Sequence, residues 1–144
     1  KNTEAFLGFE KIAKEGTAGY AILAQLKAAA LKVREDKEAG IKLYEEVANS
    51  GKVDDIFRDY AALSILGVQL DTMEPNELEE KLKPYLNDDH PFRFIALEYA
   101  AIAAQRKNKP AQAHEYLMKI VDDAEAPNGI RKRAGELVTL FEPK

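Results

Sequence analysis

The chain has 144 residues, enough for one domain with a substantial core, and its 46% hydrophobic and 32% charged residues are ordinary for a globular protein. Lysine and arginine number 21 against 25 acidic residues, a net charge of −4 with the signs interspersed, so no broad basic face exists to neutralise phosphates and nucleic acid is not an expected partner. The absence of cysteine excludes disulfides and thiolate metal sites, and the longest apolar run, residues 99–104, falls far short of the roughly 18 needed to span a bilayer.

The elements read off in chain order are all helical. Ala5, Phe9 and Ile12 follow the spacing i, i+4, i+7 of one helix face and predict a first helix that stops at Gly16. "YAILA" (20–24) opens a second helix of a different type, marked by a large apolar residue followed four positions later by alanine; Asp36 ends it. Gly40, Tyr44 and Val47 repeat the first spacing up to Gly51, and "FRDYA" (57–61) repeats the second up to "DTMEP" at 71–75. Leu78, Leu82 and Tyr85 come next, then "NDDHP" at 87–91, then "FRFIA" (92–96) as far as "NKP" at 108–110. Ala113, Leu117 and Ile120, "APNG" at 126–129 and "IRKRA" (130–134) complete the series. Pro75, Pro91 and Pro110 suit the first turn of a helix, and Asp89 or His90 and Asn108 stand near capping positions. No stretch alternates with period two. The prediction is about eight helices of two alternating types, a helical hairpin repeated with a period near 36 residues, with Tyr20/Ala24, Phe57/Ala61, Phe92/Ala96 and Ile130/Ala134 as equivalent core positions.

This alternation resembles the tetratricopeptide repeat, whose helical hairpins carry small residues where the helices cross. In "LEYAAIAAQRKNKPAQAHEYLMKIV" (97–121) the matching residues are Leu97, Ala101 and Ala104, then Ala113, Leu117 and Ile120; in the first repeat they are Ala24, Ala28, Leu31, Gly40, Tyr44 and Val47. The middle repeat departs from the pattern, with Leu78 in place of a small residue. More narrowly, "GTAGYAILAQLKAAAL", "FRDYAALSILGVQLDT", "HPFRFIALEYAAIAAQRKNK" and "PNGIRKRAGELVTLF", in that order, are similar to the tetratricopeptide-like domain of the ancillary subunit family of the bacterial Sec translocon. The resemblance implies a right-handed superhelical stack of hairpins, a single α-solenoid domain over residues 1–144. It also implies an upstream transmembrane anchor, a place on the periplasmic side of the inner membrane, and a non-catalytic scaffold for the translocon and periplasmic folding factors. A start on Lys1 rather than methionine fits a piece that begins mid-repeat, its anchor upstream. The alternative is a peptide-binding adaptor or chaperone module with no membrane link, in the cytoplasm.

In such a stack the concave face is lined by first-type helices. The expected lining is Ile22, Gln25, Ala29 and Lys32 from one repeat and Ile95, Glu98, Ile102 and Gln105 from another, the contact surface for a protein or peptide partner. Gln25 with Ala29 does not reproduce the lysine and asparagine clamp with which other members of the superfamily hold a carboxylate. His90 and His114 lack metal-ligand spacing, Asp88-Asp89 and Asp122-Asp123 lie at helix ends rather than facing one another, and no Gly-rich phosphate loop occurs, so no enzyme, metal or cofactor is expected. Arg58, Arg93 and Arg131 recur in the first turns of helices, where they oppose the macrodipole. Two readings stay open: each guanidinium reaches a carbonyl or carboxylate of the preceding hairpin, such as Asp54 or Asp88-Asp89, or the three form a positive ladder that receives an acidic or extended segment. Phe6 and Phe9 leave an apolar flank open at the N-terminus, where self-association is expected.

Overall fold

The computed structural model describes residues 17–142. Among them are seven α-helices, one short 3-10 turn and no strand. The helices are α1 (Thr17–Glu35), α2 (Lys37–Ala48), α3 (Asp55–Val68), α4 (Pro75–Leu82), α5 (Arg93–Arg106), α6 (Pro110–Val121) and α7 (Asn128–Leu140), with the 3-10 turn at Lys83–Tyr85. The helix predicted around Ala5, Phe9 and Ile12 lies outside the described residues. The chain divides into two compact units, with the boundary between Val68 and Gln69.

In the first unit, α2 packs against both α1 and α3. Only Asp36 separates α1 from α2; its amide donates back to the Lys32 carbonyl, and its carboxylate caps α2 by accepting from the Ala39 amide at 3.2 Å. This one-residue link turns α2 back along α1, and Gly40 sets how closely the two approach. A Cβ at Gly40 would sit 2.3 Å from Val33 Cγ2 and within 2.7 Å of the Val33 backbone, so only glycine fits this crossing. Gly40, Tyr44 and Val47 are all buried, as the spacing predicted. Burial pushes the Tyr44 hydroxyl above the usual phenol range, and a hydrogen bond with Ser64 of α3 partly offsets that. Phe57 and Ala61 are core residues of α3, again as predicted.

The register of α1 differs from the prediction. Tyr20 and Leu31 are 48% and 64% exposed, and Ala24 and Ala28 are also exposed, whereas Leu23, Leu26 and Ala29 form the buried stripe. Two apolar faces compete on this helix. The one bearing Leu23 and Leu26 removes more hydrocarbon from water than the alanine face does, at about 25 cal/mol per Å², and it is the face turned to the close crossing at Val33.

In the second unit, α5 packs against α4, α6 and α7, and α7 also packs against α6. Being covered on several sides, α5 buries nine of its fourteen residues, five of them alanine. Small side chains let neighbouring helices approach from more than one direction, the reason an Ala-rich segment holds the centre. Ala101 and Ala104 join Ala113, Leu117 and Ile120 of α6 and Ile130 and Ala134 of α7 in one core cluster. Phe92 is half-buried, while Ala96, four positions on, is fully buried.

Local signals end and start these helices. Asn108 adopts φ 58, the left-handed conformation that asparagine tolerates, and places the Lys109 amide on the Ala104 carbonyl and its own amide on the Gln105 carbonyl, a Schellman stop for α5. Asn108 therefore terminates α5 rather than capping the next helix. Pro110 and Pro75 occupy first helical positions as predicted, and Glu74 caps α4 by accepting from the Glu77 amide at 3.0 Å. Pro91 lies in the turn ahead of α5, which begins at Arg93. There the His90 Nδ1 accepts from the Phe92 amide at 3.0 Å, a side-chain cap one step before the helix.

Candidate functional site

The repeated arginines are joints between helices. Arg58, from the first turn of α3, donates to the carbonyls of Ser50 and Val53 in the turn it has just left, and pairs with Asp55. Arg131 of α7 reaches back in the same manner and donates to Asp123, Ala124 and Ala126 carbonyls, each at 2.9 Å. Arg93 donates to the His90 carbonyl at 3.2 Å, lies 4.3 Å from the centroid of the Phe94 ring and extends to Glu125 in the turn before α7. Arg106, which the repeat pattern did not single out, does the same from the C-terminal end of α5, donating to Leu70 and Met73 carbonyls at 2.7 Å. One guanidinium thus gathers the outward-facing carbonyls of each turn, the reading in which arginine ties a hairpin to its neighbour. The alternative of a free positive ladder is corrected: Arg58, Arg93 and Arg131 are engaged at backbone and carboxylate oxygens.

The proposed inner-face residues are only partly brought together. In the second unit Ile95, Ile102 and Gln105 lie half-buried along one side of α5. Glu98, expected among them as an exposed contact, is 4% exposed. Arg133 of α7 holds it through Nε at 3.0 Å and Nη2 at 3.2 Å. The pair clamps α5 to α7, so Glu98 is a structural partner of Arg133 and not an open binding group; a buried carboxylate persists only when it is paired in this way. In the first unit Ile22 is half-buried, and Gln25 and Lys32 are exposed, Lys32 beside Glu35 at 3.6 Å. Ala29, expected beside them, is buried.

A second concavity was not foreseen from the sequence. Pro110, Ala111, His114 and Leu117 of α6 face Val138, Phe141 and Glu142 at the end of α7 across a groove of about 330 Å³. It forms where the N-terminal half of α6 meets the C-terminal end of α7, and its walls are carbon except for His114 and Glu142. The apolar residues at 137, 138, 140 and 141 were the available signal. Among the described residues no group of three or more His, Cys, Asp or Glu side chains could hold a metal ion, and no helix is long and apolar enough to cross a membrane.

The sequence pattern of the family described as "Protein of unknown function (DUF2659)" matches residues 5–140, nearly the whole chain. The chain belongs to the DUF2659 family. No curated protein and no solved structure matches it. The DUF2659 pattern covers both compact units, so the arginine joints, the Glu98–Arg133 clamp and the α6–α7 groove all fall within one family unit. Chemically, what this DUF2659 chain offers is contact surface: half-buried isoleucines beside glutamine on α5, and an apolar groove at the end of α7.

Proposed function

We propose that this chain is a non-catalytic scaffold for protein–protein interaction, built as a tetratricopeptide-like α-solenoid. In the full protein it is tethered to the bacterial inner membrane by an upstream helix and acts on the periplasmic side beside the export translocon and its folding factors. The observation that carries the scaffold reading is the packing of the second unit. There α5 and α7, helices of the same type in the repeat, touch one another as well as the intervening α6, and their carbons meet through Ala101, Ala104 and Ala134. Hairpins that stack through like helices leave a face of side chains on which binding is spread over several helices, with no need of a concentrated reactive site. The membrane and translocon part rests on the resemblance in the four quoted segments.

The test uses the full-length protein in its own cell envelope. The expected outcome has three parts: the protein remains with membranes after an alkaline wash, protease added from the periplasmic side removes this domain, and a photo-crosslinking residue at Ile102 or Gln25 yields adducts with translocon subunits. A full-length protein recovered in the cytosolic fraction, with no such adduct, would replace this reading by that of an adaptor without a membrane link.

A further inference from the structure

Helix α1 is apolar on the side that faces away from its neighbours. Tyr20, Ala24, Ala28 and Leu31 fall within an arc of roughly 80° at 100° per residue, nearly opposite the buried stripe of Leu23, Leu26 and Ala29. A helix at a protein surface ordinarily turns charged residues to that side; one that is apolar on two sides has a neighbour on both. We propose that the outer face of α1 is a docking surface whose occupant is the chain's own residues 3–14, laid antiparallel along it as a helix. The proposal does not depend on the export-machinery reading.

Three features of the chain favour this occupant. Residues 3–14 carry Ala5, Phe9 and Ile12 at i, i+4, i+7 with Phe6 and Ala13 beside them, a stripe matched to the one on α1. As a helix they would run about 18 Å, and the face from Tyr20 to Leu31 runs about 16 Å. Only Glu15 and Gly16 separate them from the start of α1 at Thr17, a linker within the two to five residues that close antiparallel helix pairs. In that register Phe9 lies opposite Ala24 and Ala5 opposite Ala28, so a large side chain meets a small one and the helices can close. A second copy of the chain is a poorer occupant. Four residues offer far less than the roughly 800 Å² per partner that a stable dimer buries, whereas a tethered segment is present at an effective concentration in the millimolar range.

The chain contains no cysteine, so pairs can be introduced without background. Ala5→Cys combined with Ala24→Cys or with Ala28→Cys changes only small residues, and Ala5→Cys with Glu45→Cys on the exposed side of α2 is the control. Mild oxidation of the dilute protein is expected to give an intramolecular disulfide, seen as a faster-migrating monomer, in one or both test pairs and not in the control. A predominantly covalent dimer would assign the face to a second copy and overturn the proposal, as would the absence of any crosslink. A second measurement is independent of the disulfide: Phe9→Glu should lose amide-exchange protection across residues 20–31 while α5 and α6 keep theirs. Unchanged protection in α1, in a protein that remains folded, would overturn the proposal as well.

Discussion

Gly40→Ala adds one methyl group at the tightest point of the first unit. The new Cβ would lie 2.3 Å from Val33 Cγ2, 2.6 Å from Val33 N and 2.7 Å from Val33 Cα. Carbon contacts are comfortable at about 3.5–4.0 Å. A side-chain methyl can rotate away, but two of these three atoms are backbone of α1, so α1 and α2 must part by about 1 Å to restore ordinary contact. That separation loosens the packing of Tyr44 and Val47 against α1. Overpacking of this kind costs about 1–3 kcal/mol, and the upper half of that range applies because backbone has to move. Against it stands a gain of about 1 kcal/mol from replacing glycine by alanine inside a helix. The net expectation is a loss of about 1–2 kcal/mol. Gly135→Ala is the matched control: it lies inside α7 and an added Cβ meets nothing within 4 Å, so only the propensity gain of up to about 1 kcal/mol remains. Urea unfolding followed by circular dichroism, with amide exchange to assign each change to its own unit, should move the two variants in opposite directions. A Gly40→Ala midpoint at or above that of the parent chain would refute the reasoning.

Other substitutions test the remaining joints. Ala29→Leu and Ala101→Leu should each cost about 1–3 kcal/mol in urea unfolding, because both alanines are fully buried; a neutral Ala29→Leu would mean that α1 turns its other face inward. Arg133→Ala leaves the Glu98 carboxylate buried and unpaired, and should cost about 2–4 kcal/mol, the lower side of the buried-pair range because the arginine is itself 33% exposed. Glu98→Leu in the Arg133→Ala background should recover much of that loss in the same assay. Asn108→Val should cost about 1–2 kcal/mol for forcing a β-branched residue into the left-handed region, and Asn108→Gly should not. The Glu74 carboxyl is held below its usual range chiefly by hydrogen bonds from the backbone of Asn76 and Glu77. Its contribution is therefore present above the ordinary carboxylate pKa and lost as pH falls through the lowered folded value. The stability difference between the parent chain and Glu74→Gln should shrink on acidification; a difference that persists in acid would remove the charge from the account of this cap.

Periodicity made the helices legible because burial on one face is written into sequence as i, i+4, i+7, and Gly40, Ala113 and Leu78 kept that register in the structure. Punctuation was legible at Pro75 and Pro110, where a missing N–H is tolerated, and at Asn108, although its role is to stop α5. The register of α1 was not. Alignment by tyrosine and alanine selected Tyr20/Ala24, but a helix with apolar residues on both sides offers two self-consistent stripes, and only the crossing at Val33 and Gly40 decides which of them meets α2. Glu98 was misread for a related reason. Its spacing from Ile95 and Ile102 puts it on their side of α5, yet whether that side opens to solvent depends on Arg133, thirty-five residues away.

The arginines show the limit most clearly, because what they recognise carries no side-chain identity. Arg58, Arg106 and Arg131 bind carbonyls of Ser50, Val53, Leu70, Met73, Asp123, Ala124 and Ala126, and any residue type at those positions presents the same oxygen. No search for acidic partners in the sequence could find them. The recurrence of Arg58, Arg93 and Arg131 at equivalent places was nevertheless a sound signal that a repeated need exists, and the geometry identifies it: turns between packed helices expose several carbonyls together, and a guanidinium offers five donors in a rigid fork. This has a consequence for function. Because the recurrent cations are engaged in holding turns, specificity for a partner has to come from residues that do not recur: Gln25 and Lys32 on α1, Ile102 and Gln105 on α5, and the His114–Phe141 groove. Substitutions at the arginines should therefore damage stability first, and substitutions at the non-recurring positions should alter binding in a chain that still folds.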